Sequence, residues 1–454
     1  MSGATLATDP GVRHAFARDA SGMELVPESV ARPKDVDEVA QVLTQASAER
    51  RTVTPAGGQT STTGASISDR GMILSLRALD RVLELDPVAG FVRVEAGAFV
   101  GDVKRACAAA GRLLPLDPTS EDECTVGGAV ACNATGARSL RYGDTRRHVR
   151  ALEVVLIDGS RHSFRRPQYE KNAVGYHFVR DPVDWFVGSE GTLGVVTAVE
   201  FGLLPLPVRV TGLAVPFVDE RAALAFVAAA REHPALRPRC LEYFDGTALG
   251  IVRAHPGGAA WTGGAMVYLE DAGDGPFAAE PWLALAERKG ADTGAIQVFE
   301  GEAAIRDARR LRHSIPATMN ERSAAARRTG GRKVSTDWAV PYRELGAVLD
   351  FTRRTADQMG VEHPVVFGHA GNGHPHQNWI AADPAHLERA EAVVEATLRE
   401  VLRRGGTVAA EHGIGKIKSR WASLQLSPLQ VRAMRALKRE LDPLGLLAPG
   451  NILP

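Results

Sequence analysis

Pro55-Ala-Gly-Gly-Gln-Thr-Ser-Thr-Thr-Gly64 directly follows a short predicted strand at 52–54, and the fold prediction starts from this loop. Its glycines let backbone N–H groups approach an anion, and its Gln, Thr and Ser side chains add further donors. The loop is not a Walker A motif, because five residues separate Gly58 from Gly64 and no lysine follows. Taken alone, the loop is explained equally well by a phosphate cradle and by an ordinary turn.

Two further glycine-rich stretches lie downstream of this loop. Asp117-Pro-Thr-Ser120 opens the second, which continues through Thr125-Val-Gly-Gly-Ala-Val-Ala-Cys-Asn-Ala-Thr-Gly136 to Tyr142-Gly143. Its small residues leave room for a flat ligand, although a packing seam would also need them. Gly188-Ser-Glu-Gly-Thr-Leu-Gly194 is the third and precedes a predicted strand. Three such loops in one domain predict a large ligand that carries a pyrophosphate.

Hydrophobic periodicity predicts an α+β chain rather than a βαβ array. Helices are predicted at 36–48, 100–110, 222–231, 281–288, 303–313, 343–359 and 384–404, and strands at 52–54, 71–76, 82–85, 91–95, 149–157, 195–203, 265–269 and 338–340. A chain of 454 residues predicts two or three domains. The Pro-rich joint Leu204-Pro-Leu-Pro207 is the expected boundary between the first two.

The composition excludes several classes of protein. Lys plus Arg and Asp plus Glu both number 54, so no bulk charge favours nucleic acid or an anionic membrane surface. The four cysteines lack C-x-x-C spacing, which predicts free thiols in a reducing compartment. No signal peptide is evident, and no apolar run approaches the ~18 residues that span a bilayer. We expect a cytoplasmic protein, with peripheral membrane association through a partner left open.

The stretch Phe367-Gly-His-Ala-Gly-Asn-Gly-His-Pro-His-Gln-Asn378 holds three of the 13 histidines. It continues an apolar run that predicts a buried strand, and its Gly-Asn-Gly predicts a sharp reversal because Gly and Asn tolerate positive φ. His369 and His376 then lie on the two arms of a turn, where imidazoles can converge. Neutral imidazole is a common metal ligand, and Glu411 is a candidate anionic third ligand. The alternative is a hairpin whose histidines are solvated or hydrogen-bonded.

These motifs together resemble one family, the FAD-linked 2-hydroxyacid dehydrogenases of the vanillyl-alcohol-oxidase superfamily, which include D-lactate dehydrogenase and the glycolate oxidase flavoprotein subunit. In the first half, the matching segments are Pro55-x-Gly-Gly-x-Thr-Ser-x-x-Gly64, Asp117-Pro-Thr-Ser, Thr125-Val-Gly-Gly-x-Val-Ala-x-Asn-Ala, Tyr142-Gly143, Lys171-Asn-x-x-Gly-Tyr176 and Gly188-Ser-Glu-Gly-Thr-Leu-Gly-Val195. In the second half, they are Lys333-Val-Ser-Thr-Asp-Trp-Ala-Val-Pro341, Gly368-His-x-Gly-x-Gly-x-x-His376-x-Asn378, Glu411-His-Gly-Ile-Gly-Lys416 and Asp442-Pro with Pro449-Gly450. The match follows the family's order from about Pro27 to the C-terminus.

The resemblance implies a two-subdomain flavin-binding domain, an α+β substrate (cap) domain, and a C-terminal tail that returns to the flavin site. The expected bounds are 1–26 for an N-terminal lead-in, 27–206 for the FAD-binding domain, 207–407 for the cap and 408–454 for the tail. No histidine occupies the first loop, where some relatives tether FAD covalently, so we expect non-covalent FAD.

The resemblance also implies which residues bind FAD. Residues 57–60 would hold the pyrophosphate, the loops at 117–143 would line the flavin, and Glu190, Gly191 and Gly194 would lie along the adenosine and ribose. The full expected set is Pro55, Gly57, Gly58, Gln59, Thr60, Ser61, Gly64, Asp117, Pro118, Thr119, Gly127, Gly128, Ala131, Asn133, Ala134, Gly136, Tyr142, Gly143, Glu190, Gly191, Gly194, Val195 and Asn451.

In the family's metal-containing members, the matching positions imply a divalent ion (Zn, Mn or Fe) on His369, His376 and Glu411. The expected catalytic residues are His412 as base, Arg312 as the grip on the substrate carboxylate with Lys333 as second choice, and Asn378. Two positions depart from the common Gly-Asp-Gly-Asn pattern. Asn372 replaces the acid, which would weaken support of the ligands, and His374 replaces the Asn and would compete as a ligand.

The sequence thus predicts FAD-dependent oxidation of a small D-2-hydroxyacid, such as D-lactate or glycolate, to the 2-oxoacid. Hydride would pass to the flavin, with assistance from the metal. Because the chain lacks iron–sulfur ligands, electrons would leave to a quinone, a cytochrome, a partner protein or oxygen. The alternatives are an electron-transfer subunit without catalysis of its own, a flavin oxidase of a non-acid alcohol, and a metal-dependent hydrolase without flavin. A homodimer is one option for the oligomeric state.

Overall fold

The structure, a computed structural model, describes residues 6–453 and divides into two compact units. The first unit contains the described residues up to Gly136, then Asp144–Leu206 and the described residues from Glu411 onward. The second unit contains Ala137–Gly143 and Pro207–Ala410. In both units helices and sheets are mixed, so the predicted α+β class is confirmed.

The strands, in chain order, are β1 Leu6–Ala7, β2 Ser29–Ala31, β3 Val53–Ala56, β4 Met72–Ser75, β5 Val82–Asp86, β6 Phe91–Glu95, β7 Arg112–Leu113, β8 Val149–Val155, β9 Arg161–Arg165, β10 Val195–Gly202, β11 Leu204–Pro205, β12 Arg209–Phe217, β13 Pro238–Phe244, β14 Ala265–Gly273, β15 Gln297–Glu300, β16 Arg332–Ser335, β17 Val365–His369 and β18 His374–Ala381. The helices are α1 Pro10–Ala15, α2 Val36–Ala48, α3 Val100–Ala109, α4 Val126–Cys132, α5 Ser139–Tyr142, α6 Val183–Phe186, α7 Glu220–Glu232, α8 Gly246–Arg253, α9 Ala279–Arg288, α10 Gly301–Ala326, α11 Leu345–Gln358, α12 Pro384–Arg403, α13 Ser419–Gln425 and α14 Pro428–Leu441.

The first unit is built on two sheets. A four-stranded sheet has the order β1-β2-β4-β3, in which β4 runs parallel to both β2 and β3. Helix α2 covers this sheet with its apolar stripe, and Asp35 caps its first turn by accepting from the N–H of Glu38. The described part of the predicted lead-in is ordered, because β1 pairs with β2 and α1 packs nearby. The predicted helix at 36–48 is confirmed to the residue.

The second sheet of this unit is antiparallel, with the order β5-β6-β10-β8-β9. Its inner face packs against α3 and α4, and the core there contains Phe186 and Phe201. The C-terminal residues Leu446 and Leu447 enter the other core of the unit, beneath α2. Backbone hydrogen bonds from Val53 to Leu446 and from Ala448 to Val53 fix them beside β3. The C-terminal segment is thus an integral part of the first unit.

The second unit is a seven-stranded sheet with the order β15-β12-β14-β13-β17-β18-β16, in which every recorded pair is antiparallel. Helices α8 and α10 cover one face with a core that includes Phe244 and Phe367. Because side chains alternate along a strand, Phe217 points to the opposite face, where its ring contacts Phe226 of α7. The histidine segment lies in the middle of this sheet.

The hairpin β17–β18 forms the predicted reversal. His369 pairs with His374 and Phe367 with His376, and Gly373 makes the turn with φ +67°. Pro375 lies in β18, a strand with neighbours on both sides, although proline has no N–H to donate to a neighbouring strand. However, β16 pairs with β18 only from Asn378 onward, so Pro375 meets β17 alone. Pro375 therefore lies where β18 has a paired strand on one side only.

Two predicted elements differ from the structure. The helix predicted at 303–313 runs from Gly301 to Ala326 and continues through Pro316. Burial of Ile315 and Met319 on its inner face offsets the local cost of the proline, about 3 kcal/mol. The strand predicted at 338–340 is wrong, because only Ala339 makes an isolated bridge, to Thr407. Its apolar residues are buried in irregular backbone.

All four cysteines are free thiols, as predicted. Burial raises the pKa of Cys107 and of Cys124 to about 11 and that of Cys132 to about 12. Within residues 6–453, none of the helices has the length and apolar character required to cross a bilayer.

Candidate active site

Three histidines cluster on one face of the seven-stranded sheet. The rings of His369, His374 and His376 lie 4.8–5.3 Å apart between centroids, with their planes near perpendicular. All three side chains are buried. They share a face because His369 is directly opposite His374, and His374 and His376 are two residues apart on one strand. The predicted convergence of imidazoles is therefore present within the second unit, with His374 as a third member.

Glu242 of β13 is the residue next to this cluster that the sequence prediction missed. Its carboxylate is 2.6 Å from Nδ1 of His369, and its side chain is 3% exposed. Burial alone would raise the pKa of Glu242, but His369 and Arg312 together hold that pKa below its usual value. An ionised carboxylate only accepts, so Nδ1 of His369 carries the proton and the ring lone pair of its neutral form is on Nε2. Metal-bound histidines are commonly held in this way.

Arg312 lies on α10 and reaches the same carboxylate from the helix side. Its Nε donates to Glu242 at 3.2 Å, and its guanidinium lies over the Phe367 ring, 5.5 Å from the centroid. Among the described residues, Nη2 of Arg312 is buried and has no hydrogen-bond partner. A buried guanidinium N–H without a partner is costly unless an anion accepts from it. Arg312 thus offers a charged donor to a ligand, as its predicted role requires.

Lys333 and Asn378, the other predicted catalytic residues of this unit, lie on β16 and β18. The ammonium of Lys333 donates to Oδ1 of Asn320 at 2.5 Å, and burial lowers the pKa of Lys333 below its usual value. Asn378 accepts from the hydroxyl of Ser335 at 2.5 Å. Both side chains therefore have protein partners, unlike Nη2 of Arg312. This difference favours Arg312 over Lys333 as the anion donor.

His374, the departure from the common family pattern, has an acidic neighbour. Its Nε2 lies 3.3 Å from Oδ1 of Asp337, and both side chains are buried. Asp337 lies in the irregular segment that was predicted as a strand. That segment is held in place by an indole hydrogen bond from Trp338 to Gln377. His374 thus has a carboxylate close to its Nε2, whereas Glu242 makes a hydrogen bond to Nδ1 of His369.

The first glycine-rich loop, residues 57–64, leaves β3 in the first unit. Within residues 6–453, no backbone-to-backbone hydrogen bond uses the N–H groups of Gly58, Gln59 or Thr60. The Gln59 side chain instead braces the loop by donating to the carbonyls of Phe16 and Ser66. The loop therefore offers a run of backbone donors, which is the geometry that suits a pyrophosphate.

The second and third glycine-rich loops pack against the first. A Cβ at Gly58 would lie 1.9 Å from the carbonyl oxygen of Glu123, and a Cβ at Gly191 would lie 3.0 Å from Pro55. A Cβ at Gly136 would meet the carbonyl oxygen of Asp117 at 1.8 Å. The approaches at Gly58 and Gly136 are possible only for glycine, and Gly191 has a φ of +73° that other residues rarely adopt. The predicted loops therefore meet within the first unit. Tyr142 and Gly143 are grouped instead with the second unit.

Several predicted FAD-binding residues have structural roles of their own. The carboxylate of Glu190 accepts from the N–H groups of Ile414 and Gly415 at 2.6 and 2.8 Å. Burial raises the pKa of Glu190, and these two hydrogen bonds oppose the rise. Asn451 donates to the carbonyls of Ala65 and Glu190. Glu190 thus joins the C-terminal segment to the third loop, and Asn451 joins it to the third loop and to Ala65 at the end of the first.

Glu411 and His412 begin that segment. Nε2 of His412 lies 3.2 Å from Oε1 of Glu411, and the His412 ring is about one-third exposed while Glu411 is nearly buried. Gly413, with φ +74°, turns the chain directly after them, and a Cβ there would meet the Glu190 carboxylate at 2.5 Å. The predicted base therefore has solvent access and a carboxylate beside it.

Comparison with known proteins identifies the family. The description "FAD binding domain" matches residues 27–165, and "FAD linked oxidases, C-terminal domain" matches residues 206–452, more than half of the chain. The chain belongs to the FAD-linked oxidases. It is therefore an FAD-dependent oxidoreductase, and the resemblance to the 2-hydroxyacid dehydrogenases of the vanillyl-alcohol-oxidase family is confirmed.

Relatives of this FAD-linked oxidase match along almost its whole length. Glycolate oxidase subunit GlcD of Bacillus subtilis is 30% identical over 437 residues, which cover 94% of this chain and 89% of the relative. D-2-hydroxyglutarate dehydrogenase of Xanthomonas citri is 31% identical over 440 residues, and D-lactate dehydrogenase of Anaerostipes hadrus is 28% identical over 437, each with the same 94% and 89% coverage. The fold is shared with p-cresol methylhydroxylase at a TM-score of 0.75 and 16% identity, covering 98% of this chain and 93% of that chain.

Proposed function

We propose that this FAD-linked oxidase oxidises a small D-2-hydroxyacid to the 2-oxoacid, by transfer of the C2 hydride to FAD. The observation that carries the proposal is Nη2 of Arg312, a buried cationic donor without a partner, next to the histidine cluster. A carboxylate is the ligand that such a donor binds best. The names of the relatives agree, since they describe enzymes of glycolate, D-2-hydroxyglutarate and D-lactate.

FAD, when bound, supplies the hydride acceptor. The backbone donors at Gly58, Gln59 and Thr60 support the pyrophosphate assignment. We propose non-covalent attachment, since residues 57–64 contain no histidine. Acid precipitation of the pure protein is expected to release the yellow colour into the supernatant, and flavin that stays with the precipitate would refute this attachment.

We further propose a divalent ion (Zn, Mn or Fe) held by His369, His376 and Glu411. The support for this ion comes from the second unit, where the buried imidazoles of His369 and His376 converge. Nδ1 of His369 is held by the Glu242 carboxylate, as is common for metal-bound histidines. We include Glu411 among the ligands because it occupies the matching position of the family motif. A bound ion would act as a Lewis acid that orients the hydroxyacid and acidifies its hydroxyl.

The residues then divide the remaining work. Arg312 binds the carboxylate and fixes the acid in one orientation. His412 takes the hydroxyl proton on its ring as the hydride leaves, with the Glu411 carboxylate 3.2 Å from its Nε2. Lys333 on β16 and Asn378 on β18 add polar side chains on the neighbouring strands. Electrons then leave FAD to an acceptor such as a quinone, a cytochrome or a partner protein.

The proposal is tested by an anaerobic screen in which bleaching of the flavin band reports reduction. The panel pairs each 2-hydroxyacid (glycolate, D-lactate, D-2-hydroxyglutarate) with an alcohol of similar size that lacks the carboxylate. The acids are expected to bleach the flavin and the alcohols are not. Bleaching by the alcohols alone would favour a non-acid substrate. A flavin that no acid reduces, but that a chemical reductant reduces normally, would favour an electron-transfer subunit.

A further inference from the structure

Glu242 joins two groups that the proposed function treats separately. One carboxylate oxygen, Oε1, is 2.6 Å from Nδ1 of His369, and the other, Oε2, is 3.2 Å from Nε of Arg312. The three side chains come from three different elements, β13, β17 and α10. All three are at least nine-tenths buried, so water does not compete for these contacts.

We infer that Glu242 is a positioning residue that fixes the metal ligand His369 and the carboxylate donor Arg312 against each other. The inference rests on the proposed function and adds a residue to it. Through Oε1, Glu242 sets the tautomer of His369 and so presents Nε2 for coordination. Through Oε2, it holds Nε of Arg312 and leaves Nη2 for the substrate. Metal affinity and substrate affinity therefore depend on the same side chain.

The side-chain chemistry of glutamate explains why a neutral residue fails at this position. Gln keeps the shape, but it has one acceptor oxygen and one NH2 group in place of two acceptors. In Glu242→Gln, the amide NH2 group therefore points at the N–H of either His369 or Arg312, and two donors meet without an acceptor. Asp keeps the charge but is one methylene shorter, so a carboxylate placed against one partner loses the other.

Glu270 provides a matched control. It lies on β14 of the same sheet, is 1% exposed, and also accepts from arginines, with Arg239 at 2.6 Å and Arg138 at 2.9 Å. The Tyr268 hydroxyl also donates to it, at 3.1 Å. Glu270→Gln therefore removes a buried, arginine-paired carboxylate of the same type, and a general destabilisation of the sheet would affect both variants alike.

The experiment measures two affinities in the flavin-containing protein. After chelation and removal of the native ion, Zn²⁺ binding is titrated by calorimetry without substrate. We expect Glu242→Gln to weaken Zn²⁺ binding by roughly 10–100-fold and to raise KM for the best acid of the screen by about tenfold, with a smaller change in kcat. Glu270→Gln is expected to lower the melting temperature but to leave the Zn²⁺ affinity within about twofold of wild type, the scatter between independent sites.

A double variant tests whether Glu242 acts through Arg312. Since Arg312→Ala already removes the group that Glu242 holds, adding Glu242→Gln should raise KM little further, and additive effects would contradict the inference. If Glu242→Gln keeps the wild-type Zn²⁺ affinity and KM, the inference about Glu242 is overturned, while the proposed function stands. A wild-type protein that binds no ion would overturn both the metal proposal and the His369 half of the inference. If the Gln variant does not fold, Glu242→Asp serves in its place, with loss of at least one of the two affinities expected.

Discussion

At the scale of single residues, the substrate class depends on Arg312. Replacing Arg312 with Ala removes a charge-assisted hydrogen bond from a buried site, which is worth about 1.5–3 kcal/mol. KM for the acid is therefore expected to rise roughly 10–150-fold, with kcat less affected. Arg310→Ala is the control, because Arg310 lies on the same helix but is exposed and pairs with the neighbouring Asp307. An unchanged KM in Arg312→Ala would move the carboxylate grip to Lys333.

The metal ligands and the base are separable by substitution. His369→Ala and His376→Ala are each expected to remove a stoichiometric divalent ion, measured by elemental analysis. His412→Asn is expected to keep the ion but to lose about 10²–10⁴ in the rate of flavin reduction, since a positioned general base contributes that much. His374→Ala separates the two ligand arrangements. If it removes the ion as completely as His369→Ala does, His374 belongs to the ligand set, with the Asp337 carboxylate beside it.

The four thiols give a prediction for pH dependence. Burial raises the pKa of Cys107 and Cys124 to about 11 and of Cys132 to about 12, so the thiolate that reacts with disulfide reagents is scarce at pH 8. The native protein is expected to react slowly at pH 8 and faster up to pH 10, whereas four thiols react at once in denaturant. Rapid native labelling of the buried Cys107, Cys124 and Cys240 at pH 8 would contradict this expectation.

At the scale of elements, the contact between the glycine-rich loops is open to a direct test. Gly58→Ala would force its Cβ to within 1.9 Å of the Glu123 carbonyl, so the first loop must move and its backbone donors with it. We expect less FAD per protein after gel filtration and a lower melting temperature. Gly250→Ala in α8 is the control, because nothing lies within 4 Å of the added carbon and Ala favours a helix by about 1 kcal/mol. Full FAD retention in Gly58→Ala would refute the loop's role.

The elements show what sequence patterns predict and where they fail. Helix α2 was predicted to the residue because its apolar spacing and Asp35 cap are local signals. Helix α10 was predicted only to residue 313, because the burial that carries it onward through Pro316 comes from strands distant in sequence. The segment at 338–340 has the composition of a strand, but its backbone is used for one isolated bridge, and Trp338 is held by a side-chain contact with Gln377.

In the candidate site, too, some residues were predictable from the sequence and others were not. Motif residues such as His369, His376 and Arg312 were predictable because their spacing or family position marks them. Glu242 was not, since it is a single acid within Cys240-Leu-Glu-Tyr-Phe244 and its partners are 70 and 127 residues away. A charged residue in an otherwise apolar strand is the one local signal that points to it.

At the scale of the whole molecule, the family motifs are distributed over both units. The glycine-rich loops and the Glu411–His412 pair belong to the first unit, which includes the C-terminal segment. The histidine cluster, Glu242 and Arg312 belong to the second. Each group is internally braced, the first by Glu190 and Asn451 and the second by Glu242. The glycine-rich loops and the Glu411–His412 pair therefore rest on one core, and the histidine cluster with Glu242 and Arg312 rests on another.

The most direct test of the proposed activity is anaerobic mixing of the pure, flavin-containing protein with the two enantiomers of one 2-hydroxyacid, lactate or 2-hydroxyglutarate. Loss of the flavin band is followed in time, with no electron acceptor present. The D-enantiomer is expected to bleach the flavin fully and the L-enantiomer far more slowly. Equal rates, a preference for L, or a protein that carries no flavin at all would contradict the account.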